Sequence, residues 1–242
     1  MKKTTANLFL VSILFYFAFL SSWYICYSND FYYPLVYVSA DMAGTIQKRA
    51  DSQQAYKVLA AAGPGQHMGL FRGVLKSVED GGEGLDKLVL ETDGGTYPFL
   101  NPAEREKLAG IGVMLDLAKG VFRLMLVLLV LACSYMTVSG VPPYAWRQIT
   151  RGLSYAFCVL AALFYFLGFD RLYLFFHGSI FGNQSAWFFK NGNGFLSLIA
   201  PYPAMYIFIS AVFLITLLAC WGLYYRVCAS VVGYFSKLLP SR

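Results

Sequence analysis

Two histidines, His67 and His177, are the only side chains in this chain whose ordinary pKa lies near neutrality. Either could take up and return a proton in an acid–base reaction. His177 stands between Phe176 and Gly178 in an apolar run. Asp170, Tyr173 and His177 follow i, i+3, i+7 spacing, so a helix would put them on one face. There Asp170 could hold a water or Tyr173, or Asp170 and Arg171 could be an interface anchor, with His177 an interfacial histidine doing no chemistry. His67 follows Gly63-Pro64-Gly65-Gln66 and precedes a predicted strand, a setting where a histidine is commonly just solvated. Asp116 lies between Leu115 and Leu117 at the mouth of an apolar stretch, where a carboxylate is costly unless wetted or paired. Lys119 and Arg123, at i+3 and i+7, offer it partners. Arg72, Arg105 and Lys107 could meet lipid headgroups or be ordinary surface charge. Trp187 fits an interface anchor better than a substrate contact.

The elements that must position these residues are apolar helices. The chain has 242 residues, of which 58% are hydrophobic and 13% charged. A soluble globular chain carries about 25% charged residues. Four long stretches are nearly free of charge, and they predict membrane spans at about 7–27, 117–138, 152–171 and 203–225. The fold class expected is an α-helical polytopic membrane protein with four transmembrane helices. A small extracytoplasmic α+β domain lies between helices 1 and 2, and an interfacial hairpin between helices 3 and 4. The segments are 1–27, 28–116, 117–138, 139–151, 152–171, 172–202, 203–225 and 226–242. The first stretch is too long for a signal-peptide core and lacks small residues at its exit, so it reads as a retained helix. Bulky Tyr24 and Ile25 argue against a lipid anchor at Cys26.

Charge sets the expected orientation. Lys2, Lys3, Arg147, Arg151, Arg226, Lys237 and Arg242 fall in the predicted inner segments, with no acid among them. Residues 28–116 hold twelve acids and eight bases. Lys and Arg in short loops mark the cytoplasmic face, so both termini and residues 139–151 are expected inside an inner membrane, with residues 28–116 and 172–202 outside. The net charge of +6 then reflects an anionic inner leaflet rather than nucleic acid. The sequence leaves the oligomeric state open, a monomer included.

In the outer segment, residues 41–62 read as a surface helix ended by Gly63-Pro64-Gly65. Phe71–Val78, Leu85–Glu91 and Thr96–Leu100 read as three short strands, with turns at 80–84 and 93–95. Asn101-Pro102-Ala103-Glu104 predicts a capped helix start, and Gly110, Gly112 and Gly120 could bend that helix before span two. None of the five cysteines lies in the body of this domain, so no disulfide framework is expected, and neither is a structural zinc. With no nucleotide loop, nucleophile elbow or zinc-protease pair, no cofactor or metal is expected.

The run from Phe169 to Phe189 (FDRLYLFFHGSIFGNQSAWFF), followed by Pro201-Tyr202-Pro203, resembles the DUF1461 family of bacterial integral membrane proteins. That family includes lipoprotein intramolecular transacylases. The order of elements is similar over nearly the whole chain. The resemblance implies an acyl shift from the sn-2 oxygen of a diacylglyceryl-cysteine to its α-amine, on bacterial lipoproteins at the membrane, without cofactor. It implies a catalytic role for His177. Relatives carry His-Met-x-Asp-Val-Lys before span two. Here the matching stretch is Val113-Met114-Leu115-Asp116-Leu117-Ala118, with Val113 in place of the histidine. Three readings follow: His67 reaches in, His177 works with a different partner, or the chain is a non-catalytic binding or accessory protein on the same fold. The catalytic set expected is His177, His67, Asp116 and Tyr173, with Arg72, Asp170, Arg171 and Trp187 binding substrate.

Overall fold

The computed structural model describes residues 3–52, 56–168, 171, 194–200 and 204–238. The chain begins with α1 (Lys3–Ser28), followed by a 3-10 turn (Asp30–Tyr32), α2 (Tyr33–Ser39), α3 (Met42–Ser52), α4 (Lys57–Ala61) and α5 (Pro64–Glu79). A 3-10 turn at Leu85–Lys87 leads to β1 (Val89–Thr92) and β2 (Gly95–Pro98). Then come α6 (Pro102–Gly120), α7 (Phe122–Val138), α8 (Trp146–Leu167), α9 (Leu196–Ile199) and α10 (Ala204–Leu238).

Among the described residues the fold is mostly helical with one small sheet. Among them two helices, α1 and most of α10, are long and apolar enough to cross a membrane, with a third crossing if α6 and α7 count as one bent span. α10 has 35 residues. At 1.5 Å per residue it is about 52 Å long, well beyond a ~30 Å hydrocarbon core. The chain divides into two compact units. A mixed unit comprises residues 18–122 and 188–220, and a helical unit comprises residues 1–17, 123–187 and 221–242.

The mixed unit has a true core. Tyr33, Ile46, Leu59, Phe71, Leu90 and Phe99 are buried together, with Leu196 and Ile199 of α9. Tyr33 stacks on Phe71 with ring centroids 4.0 Å apart, and its hydroxyl donates to the Ile199 carbonyl at 2.7 Å. Here the sequence reading needs correction. Phe71–Val78 is not a strand but the second half of α5. The buried residues His67, Leu70, Phe71, Val74 and Val78 recur every three or four positions, the period of a helix packed on one side. Pro64 stands in the first turn, after extended Gly63, and so starts this helix as well as ending the previous one. The sheet accordingly has two strands, antiparallel, with Leu90 opposite Tyr97 and Thr92 opposite Gly95. The predicted surface helix is α3 and α4.

The capped start of α6 is present as read. Glu104 N–H donates to Asn101 Oδ1, and Asn101 N–H donates to Glu104 Oε2, both at 2.9 Å. Gly110 and Gly112 lie inside α6, and the helix breaks only after Gly120, at Val121.

The helical unit is held differently. Asn7, fully buried on α1, donates to the carbonyls of Lys3 (3.1 Å) and Pro142 (3.2 Å) and accepts from Tyr144 N–H (2.8 Å). Tyr225 donates to the Tyr144 carbonyl at 2.8 Å, and Trp221 to that of Val11 at 3.3 Å. Arg226 covers the Trp146 ring at 4.8 Å.

Candidate functional site

The described part of the predicted site begins with Asp116, on the last turns of α6 with its side chain 54% exposed. The expected ion pair with Lys119 forms, at 3.5 Å. Lys119 has a nearer partner that sequence reasoning missed. Its Nζ lies 2.8 Å from Glu79 Oε1 and donates to the Glu79 carbonyl at 2.6 Å. Trp23 Nε1 donates to the other Glu79 oxygen. One lysine thereby ties the end of α5 to α6, and Trp23 adds α1. The signal in the sequence is the glycine-rich turn after Glu79. A Cβ on Gly112 would sit 2.5 Å from the Gly81 carbonyl carbon, so α6 and this turn meet backbone to backbone. Gly81, at φ +72°, also has Asp116 Oδ2 against it.

Val113 is 63% exposed one turn before Asp116, and Leu117 beside it is 70% exposed. The motif positions thus lie on an open, mostly apolar face of α6 with one carboxylate in it. An exposed apolar face flanking a charge suits contact with an amphipathic ligand.

His67 sits far from the solvated loop expected. It lies in the first turn of α5 and is 2% exposed. Its Nε2–H donates to the Leu59 carbonyl at 2.9 Å, which leaves Nδ1 to accept from the Tyr37 hydroxyl at 2.6 Å. Both ring nitrogens are engaged in the neutral form. Burial pushes the imidazole's pKa below its usual value, against a smaller opposing effect of the Leu59 hydrogen bond. Its partners explain why the position was misread: neither Tyr37 nor Leu59 is adjacent in sequence.

Arg72 is exposed and forms a two-pronged ion pair with Asp30. Asp30, Phe31 and Tyr32 all have left-handed backbone, with φ of +50°, +50° and +57°. Non-glycine residues rarely adopt that conformation. Phe31 is buried against Trp23, rings 5.5 Å apart, so a packed aromatic holds the turn.

Glu104 is the buried carboxylate among the described residues of this unit, 4% exposed. Burial raises its pKa, and the Asn101 hydrogen bond and Lys107 charge oppose that. A Cβ on Gly194 would collide with Glu104 Oε1, so a larger residue there would have to displace the capping carboxylate. Arg171 is exposed. Asp170, Tyr173, His177 and Trp187 lie outside the described residues. Among the described residues, no three His, Cys, Asp or Glu side chains gather as metal ligands.

Residues 99–206 match the family model described as lipoprotein intramolecular transacylase Lit. That stretch contains the Asn101 cap, Val113, Asp116, His177 and Pro201-Tyr202-Pro203. No curated protein and no solved structure matches the chain.

Proposed function

From residues 99–206 being Lit-family sequence, we propose that this chain is a lipoprotein intramolecular transacylase of the bacterial cytoplasmic membrane. The observation that carries this reading is that family match, which covers His177. In the proposed reaction the α-amine nitrogen of the lipidated N-terminal cysteine attacks the sn-2 ester carbonyl. The new C–N bond forms as the C–O bond to glycerol breaks. The amine proton passes through the His177 imidazole to the departing alkoxide, which leaves as a free hydroxyl. Amine and ester belong to one molecule, so holding them in register supplies much of the rate.

Tyr173 and Arg171 are proposed to stabilise the oxyanion, with Asp170 orienting Tyr173 and Trp187 anchoring the segment at the interface. The half-exposed carboxylate of Asp116, on the open face of α6, suits holding the substrate ammonium. His67, sealed in the core with both nitrogens engaged, is proposed to be structural, and Arg72, already held by Asp30, to play no direct part. The proposed topology has four crossings with both termini cytoplasmic. The bias of Lys and Arg in the short segments supports it.

A second reading has its own support. Val113 stands where relatives have a histidine, which favours a binding or accessory protein that holds lipoprotein without acting on it. The test is a mass spectrum of the N-terminal lipopeptide of a reporter lipoprotein. The reporter is made in a host that otherwise yields only the diacylglyceryl form, together with this protein or its His177→Ala variant. A lyso, N-acylated peptide lost in the variant establishes the acyl shift. An unchanged diacylglyceryl peptide, with the protein present in the membrane, refutes transacylation of that substrate and leaves binding to be measured.

A further inference from the structure

Within the helical unit, α7 and α10 enclose a sideways-open apolar groove of about 600 Å³. Leu129, Cys133 and Thr137 line it from α7 at four-residue spacing, and Cys228, Phe235 and Leu238 from α10. Three of the four polar residues on its walls are engaged within them. The Thr137 hydroxyl donates to the Cys133 carbonyl at 2.8 Å, and the free thiols of Cys133 and Cys228 share a hydrogen bond. Apart from Ser134 the rest of the lining is apolar.

Two further observations say what fits. At 1.5 Å per residue the α7 wall, Leu129 to Val138, is about 13.5 Å long and the α10 wall, Cys228 to Leu238, about 15 Å. That is half of a ~30 Å hydrocarbon core, the depth of one leaflet. The groove also ends at a basic terminus. Lys237, exposed beside Leu238, closes α10, and between residues 124 and 242 there are seven Lys and Arg against the single acid Asp170. Basic pockets between membrane helices favour anionic lipid headgroups.

We propose that this groove is a binding site for an anionic phospholipid, with one acyl chain between α7 and α10 and its phosphate met by Lys237. The site rests on α7 and α10 crossing a bilayer, with α10 staying in the inner leaflet past the end expected at residue 225 as far as Leu238, and does not depend on transacylation. Lys237 can reach the phosphate because a long basic side chain snorkels from a helix end.

The test is native mass spectrometry of the full chain released from micelles containing equal dioleoyl phosphatidylglycerol and dioleoyl phosphatidylcholine. One retained lipid is expected, with phosphatidylglycerol preferred about fivefold, as one basic residue at a membrane surface would give. Val231→Trp, which fills the groove from α10, should abolish retention of both lipids. Leu129→Trp fills it from the other wall and should do the same, so the result does not hang on one variant folding. Lys237→Gln should keep a bound lipid but level the preference. No retained lipid in the parent protein, equal retention of the two lipids, or retention surviving both tryptophan variants would overturn the proposal.

Discussion

The two units of this chain hold together by different means. In the mixed unit, cohesion is apolar: Tyr33, Phe71, Leu90 and Phe99 are removed from solvent around one centre. In the helical unit many large apolar side chains point outward, as with Leu124, Val127, Tyr165 and Phe166. Lipid tails are as apolar as those side chains, so burying them against one another gains little there. Hydrogen bonds and close packing must specify the fold instead. The Asn7, Tyr144 and Tyr225 knot is that kind of specification, a few well-satisfied polar groups fixing where helix ends meet.

The contrast is broken most directly in the core. Phe71→Ala should destabilise the mixed unit by about 3–5 kcal/mol, the usual cost of deleting a buried aromatic ring. Leu124→Ala, on an exposed position of α7, should change stability by less than about 0.5 kcal/mol. Hydrogen exchange on the full chain in micelles reads both, and equal losses would sink the distinction.

Next in size is the knot. Asn7→Leu keeps bulk but strands the Tyr144 N–H and the Pro142 carbonyl, at a cost of about 1–3 kcal/mol for a buried group left unsatisfied. The loss should appear as faster exchange at residues 141–146, with α5 unaffected.

A smaller effect concerns pH. The His67 pKa is lowered in the folded state, so below the usual value of about 6.5 the unfolded chain takes up a proton that the folded chain refuses. Stability present above that pH is therefore lost as pH falls through it. Glu104 works the other way: its carboxyl is raised by burial, so acidification relieves the cost of a buried charge. In Glu104→Gln the histidine effect stands alone, and the protection of α5 amides, relative to their intrinsic exchange rates at each pH, should fall between pH 7.5 and 5.5. A flat profile in that variant would mean His67 is not held neutral.

The smallest effect expected is at Arg72. Arg72→Ala removes an exposed ion pair and should change stability least of these variants, any loss shrinking with added salt. A larger loss would show that the left-handed turn at Asp30–Tyr32 depends on the pair rather than on buried Phe31.

How much of this was legible beforehand varies by element. α1, the start of α10 and the capped start of α6 were, because long apolar runs and an Asn-Pro-x-Glu start are local signals, whereas α10 runs on to Leu238, past the end expected at 225. α5 was misread because Phe71–Val78 is rich in strand-forming residues, and only its 3.6-residue burial period, visible once Leu59 and Leu90 pack against it, marks a helix. The acid–lysine pair at 116 and 119 follows from spacing. The stronger hold of Lys119 on Glu79, forty residues earlier, does not.

The sequence by itself determined that this chain is built of membrane-length apolar helices, which way its charge is biased, and that residues 99–206 are Lit-like, since each is carried by composition or by a contiguous motif. Only the tertiary structure decided the state of the groups whose partners lie elsewhere in the chain. His67 is neutral and sealed because Tyr37 and Leu59 close over it, and Lys119 serves Glu79 because a glycine turn lets α5 reach α6. Burial and long-range pairing are properties of the packed chain, and no local pattern of residues encodes them.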